Sequence, residues 1–494
     1  MTTSDAPTPL GRVRGVHRDG LLRFTGIPYA QPPVGALRFA APEPVTPWRD
    51  VLDATRPAVV ARQGPSRLVA AVGDVTAAQS EDCLHVSVVT KATDGGRRPV
   101  LVWLHGGGYS SGGGALGWYD GATLVREGDV VVVGVNYRLG PLGYLRVEGA
   151  GDGDAGLRDM IEALRWVHDN IAAFGGDPDN VTVFGQSAGA HSTQLMLTMP
   201  AARSLFHRAI LQSPPGGVPP LSTDEAEHNA ALLHAALGYP ALPADALRAR
   251  LRGEPVERLL AAARRVARET AVFGGVAAPF LPVVDGLGTP GAFVADAARG
   301  AVAAGIPVII GTTRDEAWAM VAGTPAADAT RDQVQRLIDT PGSTDRRWWA
   351  RRAAPTAVDV LVDVVTERAF TAPAHAFARA VAAAGGEAWA YRLDWAPAGS
   401  PLGACHCLEL PLVFGTADAW SRAPMTAGAD PGRQEALSAL IRRSWLSFAR
   451  CGDPADSLPW PRYDHRRPTM IFDVRSGVVG DPEGIDLTHE RNAP

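Results

Sequence analysis

Val181-Thr-Val-Phe184, Gly185-Gln-Ser187-Ala-Gly189 and Ala190-His-Ser-Thr-Gln-Leu-Met-Leu-Thr-Met199 follow one another without a break. The first run is β-branched and aromatic, as a buried strand is; the second is a small-residue turn carrying a serine; the third forms a helix. Glycine on both sides of Ser187 permits the sharp strand-to-helix turn that lifts a hydroxyl above a sheet, at the positive end of the following helix. This is the pattern of a nucleophile elbow. A second match, Gly108-Tyr-Ser110-Ser-Gly112, follows the apolar run 100–104, but Gly112-Gly-Gly114 opposes a helix start, because glycine costs about 1 kcal/mol per helix position against alanine. Ser110 is therefore read as a loop serine.

Outward from the elbow, short Val-rich runs at 84–89, 100–104, 130–135 and 181–184 read as strands. Leu157, Ile161, Leu164, Val167, Ile171 and Phe174 recur at helical spacing between the last two. Continuous apolar strands alternating with helices predict an α/β fold with a large, mostly parallel central sheet covered by helices on both faces. The strand pattern resumes at 209–212, 308–311 and 388–394. Two Ala/Arg-rich helical insertions, near 225–270 and 331–384, interrupt it. The arginines of 248–268 are interleaved with acids and with Leu247, Leu251, Leu259, Leu260 and Val266 at helical intervals, so they read as the solvated face of amphipathic helices.

The 494 residues carry no low-complexity linker, so a single domain over 1–494 is expected. A hydrophobic content of 46% against 20% charged belongs to a packed globular protein, and no apolar run reaches the length of a membrane span. The net charge of −5 is dispersed, which argues against nucleic-acid and membrane partners. Residues 1–9 have no basic segment leading into an apolar core, and Cys83, Cys405, Cys407 and Cys451 are too few for a disulfide framework and too scattered for a zinc site. A cytoplasmic protein with reduced, mostly buried thiols is expected, as a monomer or homodimer, with no metal and no cofactor.

A serine hydroxyl needs a base and a group that orients the base, which in this fold class follow in the order serine, acid, histidine. Of the histidines beyond the 308–311 strand, His375 lies in an Ala-rich helical run, and His465 and His489 lie in polar C-terminal segments. His406 follows the 388–394 strand on a Pro/Gly/Ser loop able to carry an imidazole to the carboxyl edge of the sheet, and is the candidate base. The acid should leave the loop after 308–311, where Asp315 and Glu316 stand side by side, and spacing does not choose between them. His105-Gly-Gly-Gly108 after the 100–104 strand offers backbone N–H groups for an oxyanion, with a further one from Ala188. Trp118, Phe273, Trp318 and Phe370 are candidates for the walls of a substrate pocket, or for core packing.

At this point the chain resembles the type-B carboxylesterases, the family of bacterial para-nitrobenzyl esterases, liver carboxylesterases and cholinesterases. The resemblance rests on Phe24-Thr-Gly-Ile-Pro-Tyr-Ala-Gln-Pro-Pro-Val-Gly35, Leu37-Arg-Phe39, Glu81-Asp-Cys-Leu84 and His105 to Gly108. It continues through Asn136-Tyr-Arg-Leu-Gly-Pro-Leu-Gly143, Asn170-Ile-Ala-Ala-Phe-Gly-Gly-Asp-Pro178, the elbow, Gly311-Thr-Thr-Arg-Asp-Glu316, His406 with Glu409-Leu-Pro-Leu-Val-Phe-Gly415, and Trp460-Pro-Arg-Tyr463. It implies an α/β-hydrolase fold, a Ser187, His406, Glu316 triad and an oxyanion hole at Gly107, Gly108 and Ala188. Two departures lie close to that triad: Ala317 and Cys407 stand where the family usually has glycine. Gln186 is neutral where cholinesterases carry Glu, and 62–80 lacks the tryptophan by which they bind quaternary ammonium, which argues against choline esters.

The implied activity is hydrolysis of a small carboxylic ester through an acyl-enzyme. An amidase, carbamate hydrolase or lactonase would use the same residues. A non-catalytic interaction protein of the same fold is the reading from another class, and the intact Ser187, Glu316 and His406 weigh against it.

Overall fold

A computed structural model describes residues 2–74, 76–149, 151–340 and 348–482; His489 and the 341–347 part of the second expected insertion lie outside the described residues. In chain order the strands are β1 Thr3–Thr8, β2 Gly11–Arg18, β3 Leu21–Pro28, β4 His85–Thr90, β5 Arg98–Leu104, β6 Val131–Val135, β7 Gly176–Gln186, β8 Arg208–Gln212, β9 Val308–Thr313, β10 Ala388–Leu393, β11 Pro468–Phe472 and β12 Gly477–Gly480. They pair in the order β1-β2-β3-β4-β6-β5-β7-β8-β9-β10-β11-β12, and the short strand Leu52–Asp53 adds to β2. From β6 to β11 every pairing is parallel. The two flanks are antiparallel.

Because successive side chains of a strand point to opposite faces, β5 divides its residues between two cores: Val100, Val102 and Leu104 join one, Leu101 and Trp103 the other. The first core is closed by the helices Ala155–Asn170, Ala188–Thr198, Pro290–Ala303 and Ala372–Ala383. The second is closed by Ala122–Gly128 and Pro431–Cys451. The middle of the sheet is thus covered on both sides, which is why its strands are apolar throughout.

Ala155–Asn170 buries Leu157, Leu164 and Val167 on one face, and a 3-10 turn Ile171–Phe174 extends it to Gly175, whose φ of 77° stops the helix. Inside the same core, Arg138 and Asp159 form a fully buried ion pair of 2.6 Å that ties the Asn136-Tyr-Arg138 segment to this helix. No helix among the described residues is long and apolar enough to cross a membrane.

Helices occupy much of the described parts of 225–270 and 331–384, and each group packs against a loop at the carboxyl edge of the sheet. Thr223–Leu237 opens on a capping box between Ser222 and Glu225; with Ala244–Gly253 and Val256–Glu269 it packs around Tyr109 and Ala188. Val256–Glu269 buries Leu259, Ala262 and Val266 and leaves Arg264, Arg265 and Arg268 exposed, as the spacing predicts. Arg331–Ile338 and Ala357–Thr366 pack around Ala317 and Val321.

Candidate active site

Each residue singled out for chemistry leaves the carboxyl end of a parallel strand: Gly107 and Gly108 after β5, Ser187 and Ala188 after β7, Glu316 after β9 and His406 after β10. Ser187 has φ 53° and ψ −119°, a conformation a non-glycine residue holds only when its surroundings enforce it. Its N–H donates to Gln212 O at 2.9 Å, and its carbonyl starts the helix by accepting the His191 N–H at 2.8 Å. The elbow helix also runs hard against β5. A Cβ on Gly189 would stand 2.0 Å from Leu104 O, so only glycine lets the two backbones meet.

The loop after β5 is built as tightly. Gly107 has φ 113°, and a Cβ there would stand 2.0 Å from Ser111 O; its carbonyl accepts the N–H groups of Ser110 and Ser111 at 3.1 Å each. Ser110 is thus a loop serine. His105 stacks on Tyr137 at 4.2 Å, and the Tyr137 hydroxyl donates to His105 O at 2.6 Å. Burial pushes the His105 imidazole down to about 4, so it is a neutral prop for the loop. Gly107, Gly108, Ser187 and Ala188 line one cavity of about 280 Å³. Among the described residues no acceptor takes the N–H of Gly107, Gly108 or Ala188.

The imidazole and the carboxylate meet behind this cavity. His406 Nδ1 lies 2.5 Å from Glu316 Oε2, and the other oxygen, Oε1, accepts the Thr313 N–H at 2.7 Å. Both side chains are wholly buried. Asp315, the neighbour that spacing could not separate from Glu316, turns the other way: it accepts the Ala404 N–H at 3.0 Å and pairs with Arg314 and Arg352. His406 Nε2 faces the elbow, where the Gln186 side-chain nitrogen lies 3.0 Å away. With Nδ1–H donated to Glu316, Nε2 holds the lone pair and the amide of Gln186 donates to it. No hydrogen bond joins Ser187 Oγ to His406 among the described residues.

Ala317 has φ −72°, which any residue adopts, and its N–H donates to Thr366 Oγ1 at 3.1 Å. Cys407 is different. It holds φ 77° with its thiol buried, so a side chain occupies a left-handed position suited to glycine.

Three polar side chains at the site were not singled out by sequence reasoning as parts of its machinery. His191 lies one helical turn beyond Ser187, on the same face. It accepts from the Tyr109 hydroxyl at Nδ1 (2.6 Å) and donates from Nε2 to Val218 O (2.8 Å), so it stays neutral, with burial pushing it down to about 4. Gln186 reaches the imidazole. Glu409 is buried, its carboxyl pushed up to about 7 by desolvation and by the nearby Glu316 charge, and neither oxygen has a hydrogen bond of ordinary geometry among the described residues. Of the four aromatic candidates for pocket walls, Phe370 lines the cavity, with its ring 5.1 Å from that of His406. Trp118 stacks on Trp420 at 4.4 Å, and Trp318 and Phe273 pack against the cores. Among the described residues no group of three His, Cys, Asp or Glu side chains is arranged to hold a metal ion.

Residues 2–479 match the model of the carboxylesterase family. The para-nitrobenzyl esterase of Bacillus subtilis is 38% identical to this chain, over 98% of it and 97% of the relative. A probable N-octanoylanthranilate hydrolase of Rhodococcus erythropolis is 40% identical over 94% of this chain and 97% of its own. The crystal structure of the Geobacillus stearothermophilus carboxylesterase EST55 superposes with a TM-score of 0.84 at 35% identity, covering 97% of this chain and 98% of that one.

Proposed function

The chain belongs to the carboxylesterase family and hydrolyses carboxylic esters, and from that premise we propose that Ser187, His406 and Glu316 carry the reaction, with Gly107, Gly108 and Ala188 around its oxyanion. The observation that supports this reading is the His406 Nδ1 to Glu316 Oε2 contact of 2.5 Å, which leaves Nε2 as the basic nitrogen and aims it at the elbow. For attack, that lone pair turns from the Gln186 amide to the hydroxyl of the next residue, Ser187. Ser187 Oγ then adds to the ester carbonyl while Nε2 takes its proton. The negative oxygen is met by the three N–H groups that have no acceptor among the described residues. The tetrahedral intermediate collapses, and Nε2 returns the proton to the departing alcohol. Water repeats the two steps on the acyl-enzyme. Glu316 holds the tautomer and stabilises the imidazolium without taking its proton. No step calls for a metal or a cofactor.

A small-molecule ester fits the cavity of about 280 Å³ in front of Ser187. We place the reaction in the cytoplasm on the strength of the four free cysteines, three of them buried. Cleavage of an amide is the second reading, favoured by the Rhodococcus relative, which is named for an N-octanoyl compound.

The test is turnover of p-nitrophenyl butyrate by wild type, Ser187→Ala and Glu316→Gln. Loss of about 10⁶-fold in kcat for the first variant and about 10⁴-fold for the second is expected. Ser187→Ala turning over at the wild-type rate would overturn the assignment. A matched butyramide separates ester from amide cleavage by kcat/KM.

A further inference from the structure

The cavity in front of Ser187 is walled mainly by apolar side chains, among them Leu68, Val218, Leu281, Met320 and Phe370, and among the described residues no acidic side chain lines it. One formal charge does, the guanidinium of Arg67. Its Nη1 comes within 3.9 Å of the point where a Cβ on Gly108 would stand, so the charge borders the glycine loop. Its contacts within the protein are weak. Nη1 reaches Val276 O and Ala277 O at 3.3 Å each, and no carboxylate pairs with it among the described residues. The group is open to the cavity yet crowded by surrounding protein, and that desolvation, with no opposing anion, holds its pKa below the ordinary arginine value.

The buried guanidinium groups of Arg38, Arg138 and Arg442 are paired with Glu81, Asp159 and Glu127, whereas the exposed Arg67 has no carboxylate beside it among the described residues. At the edge of an apolar cavity, an arginine without a counter-charge is left available to an anion, above all a carboxylate that can take two parallel N–H bonds from the fork.

We propose that Arg67 is a carboxylate-recognition residue of this cavity, and that the enzyme takes esters in which one half, acyl or alcohol, carries a free carboxylate. This rests on the reading that the ester reacts at Ser187.

Two matched pairs test it. In the acyl arm, p-nitrophenyl hydrogen glutarate is compared with its methyl ester; in the alcohol arm, 4-carboxyphenyl butyrate is compared with its methyl ester. For each pair the preference is kcat/KM for the acid over that for its methyl ester. Measuring it in wild type, Arg67→Gln and Arg67→Lys cancels the intrinsic reactivity of the probes. In one arm the preference should collapse about 10- to 100-fold in Arg67→Gln, the range for losing a hydrogen-bonded charge, and Arg67→Lys should restore part of it. The arm that responds tells which half carries the acid. Calorimetric titration of Ser187→Ala with glutarate and with 4-carboxyphenyl butyrate, with and without Arg67→Gln, reads binding apart from chemistry and should show the same loss. An unchanged preference in both arms, or an equal fall for acids and methyl esters, overturns the proposal. Wild-type turnover by Ser187→Ala would instead bring down the reading on which it rests.

Discussion

Asp315 grips the backbone of Ala404 twice: its N–H donates to Ala404 O at 2.9 Å, and its Oδ2 accepts the Ala404 N–H at 3.0 Å. The residue after Asp315 is Glu316, and two beyond Ala404 stands His406, so this clasp sets the separation of the imidazole and its carboxylate. Arg314 and Arg352 hold the clasping carboxylate from outside. Asp315→Ala should therefore lower kcat, by about tenfold for a misplaced rather than missing partner, with KM little altered. Asp315→Asn keeps an oxygen for Ala404 and should retain most of the rate. Equal losses in the two variants would show that charge, not the clasp, is what counts.

His191 ties the Tyr109 hydroxyl to Val218 O across the top of the elbow helix. Tyr109 follows Gly108, so the tie stiffens the loop whose N–H groups face the cavity. His191→Phe keeps a ring but leaves the Tyr109 hydroxyl without its acceptor and Val218 O without its donor. A stability loss of about 1–3 kcal/mol is expected for each group left unmatched. A fall in kcat short of the 10²–10³-fold typical of removing an oxyanion donor outright should accompany it. Urea unfolding and the split between kcat and KM check the two parts, and an unchanged kcat would free the loop of any dependence on His191.

Much of this was legible because the middle strands are Val-rich and buried on both faces: the runs read at 84–89, 100–104, 130–135, 209–212, 308–311 and 388–394 all fall on β-strands, within two residues of the observed ends. The elbow was legible for a different reason, since its glycines are demanded by backbone contact and not by propensity. β2 escaped reading because its buried and exposed residues alternate, with Val13 buried between the exposed Arg12 and Arg14, so its apolar signal is short and interrupted. Spacing left Asp315 and Glu316 equivalent because they leave the same loop, and it was the family resemblance that pointed to Glu316; in the structure what separates them is long-range, Ala404 and Arg352 on one side, His406 on the other. Part of the cavity wall comes from the aperiodic segments 66–68 and 276–281, which only the tertiary fold brings together. His191 was within reach, four residues beyond Ser187 on a predicted helix, but its partners Tyr109 and Val218 were not.

Cys407 keeps a side chain at φ 77°, where a non-glycine residue costs about 1–2 kcal/mol. Cys407→Gly removes that strain while giving up the packing of the thiol. Cys407→Ala gives up the same packing and keeps the strain. The glycine variant should be at least as stable as the alanine variant, the reverse of their order at an ordinary buried position. Thermal unfolding decides it: an alanine variant the more stable by about 1 kcal/mol, the scale of a Gly-to-Ala gain at an unstrained site, would mean that the backbone at 407 is relaxed.

Glu409 and the two buried histidines pull the pH dependence of stability in opposite directions. The Glu409 carboxyl is pushed up to about 7 from an ordinary 4.5, so the folded chain keeps a proton that the unfolded chain releases. Stability therefore falls as pH rises through that window and levels off above it. His105 and His191 are pushed down to about 4 from 6.5, so the unfolded chain takes up protons first as pH falls, and stability is lost toward acid over nearly the same range. With two histidines against one carboxyl, the Glu409 slope offsets about half of theirs in the wild type. Glu409→Gln, a neutral stand-in for the protonated acid, should raise stability by about 1 kcal/mol or less near pH 5 and by about 3 kcal/mol near pH 8, the worth of the lost titration. Urea unfolding midpoints of both proteins at the two pH values measure this. An equal shift at pH 5 and pH 8 would mean that Glu409 is ionised throughout, with its charge held by a group that glutamine serves equally well.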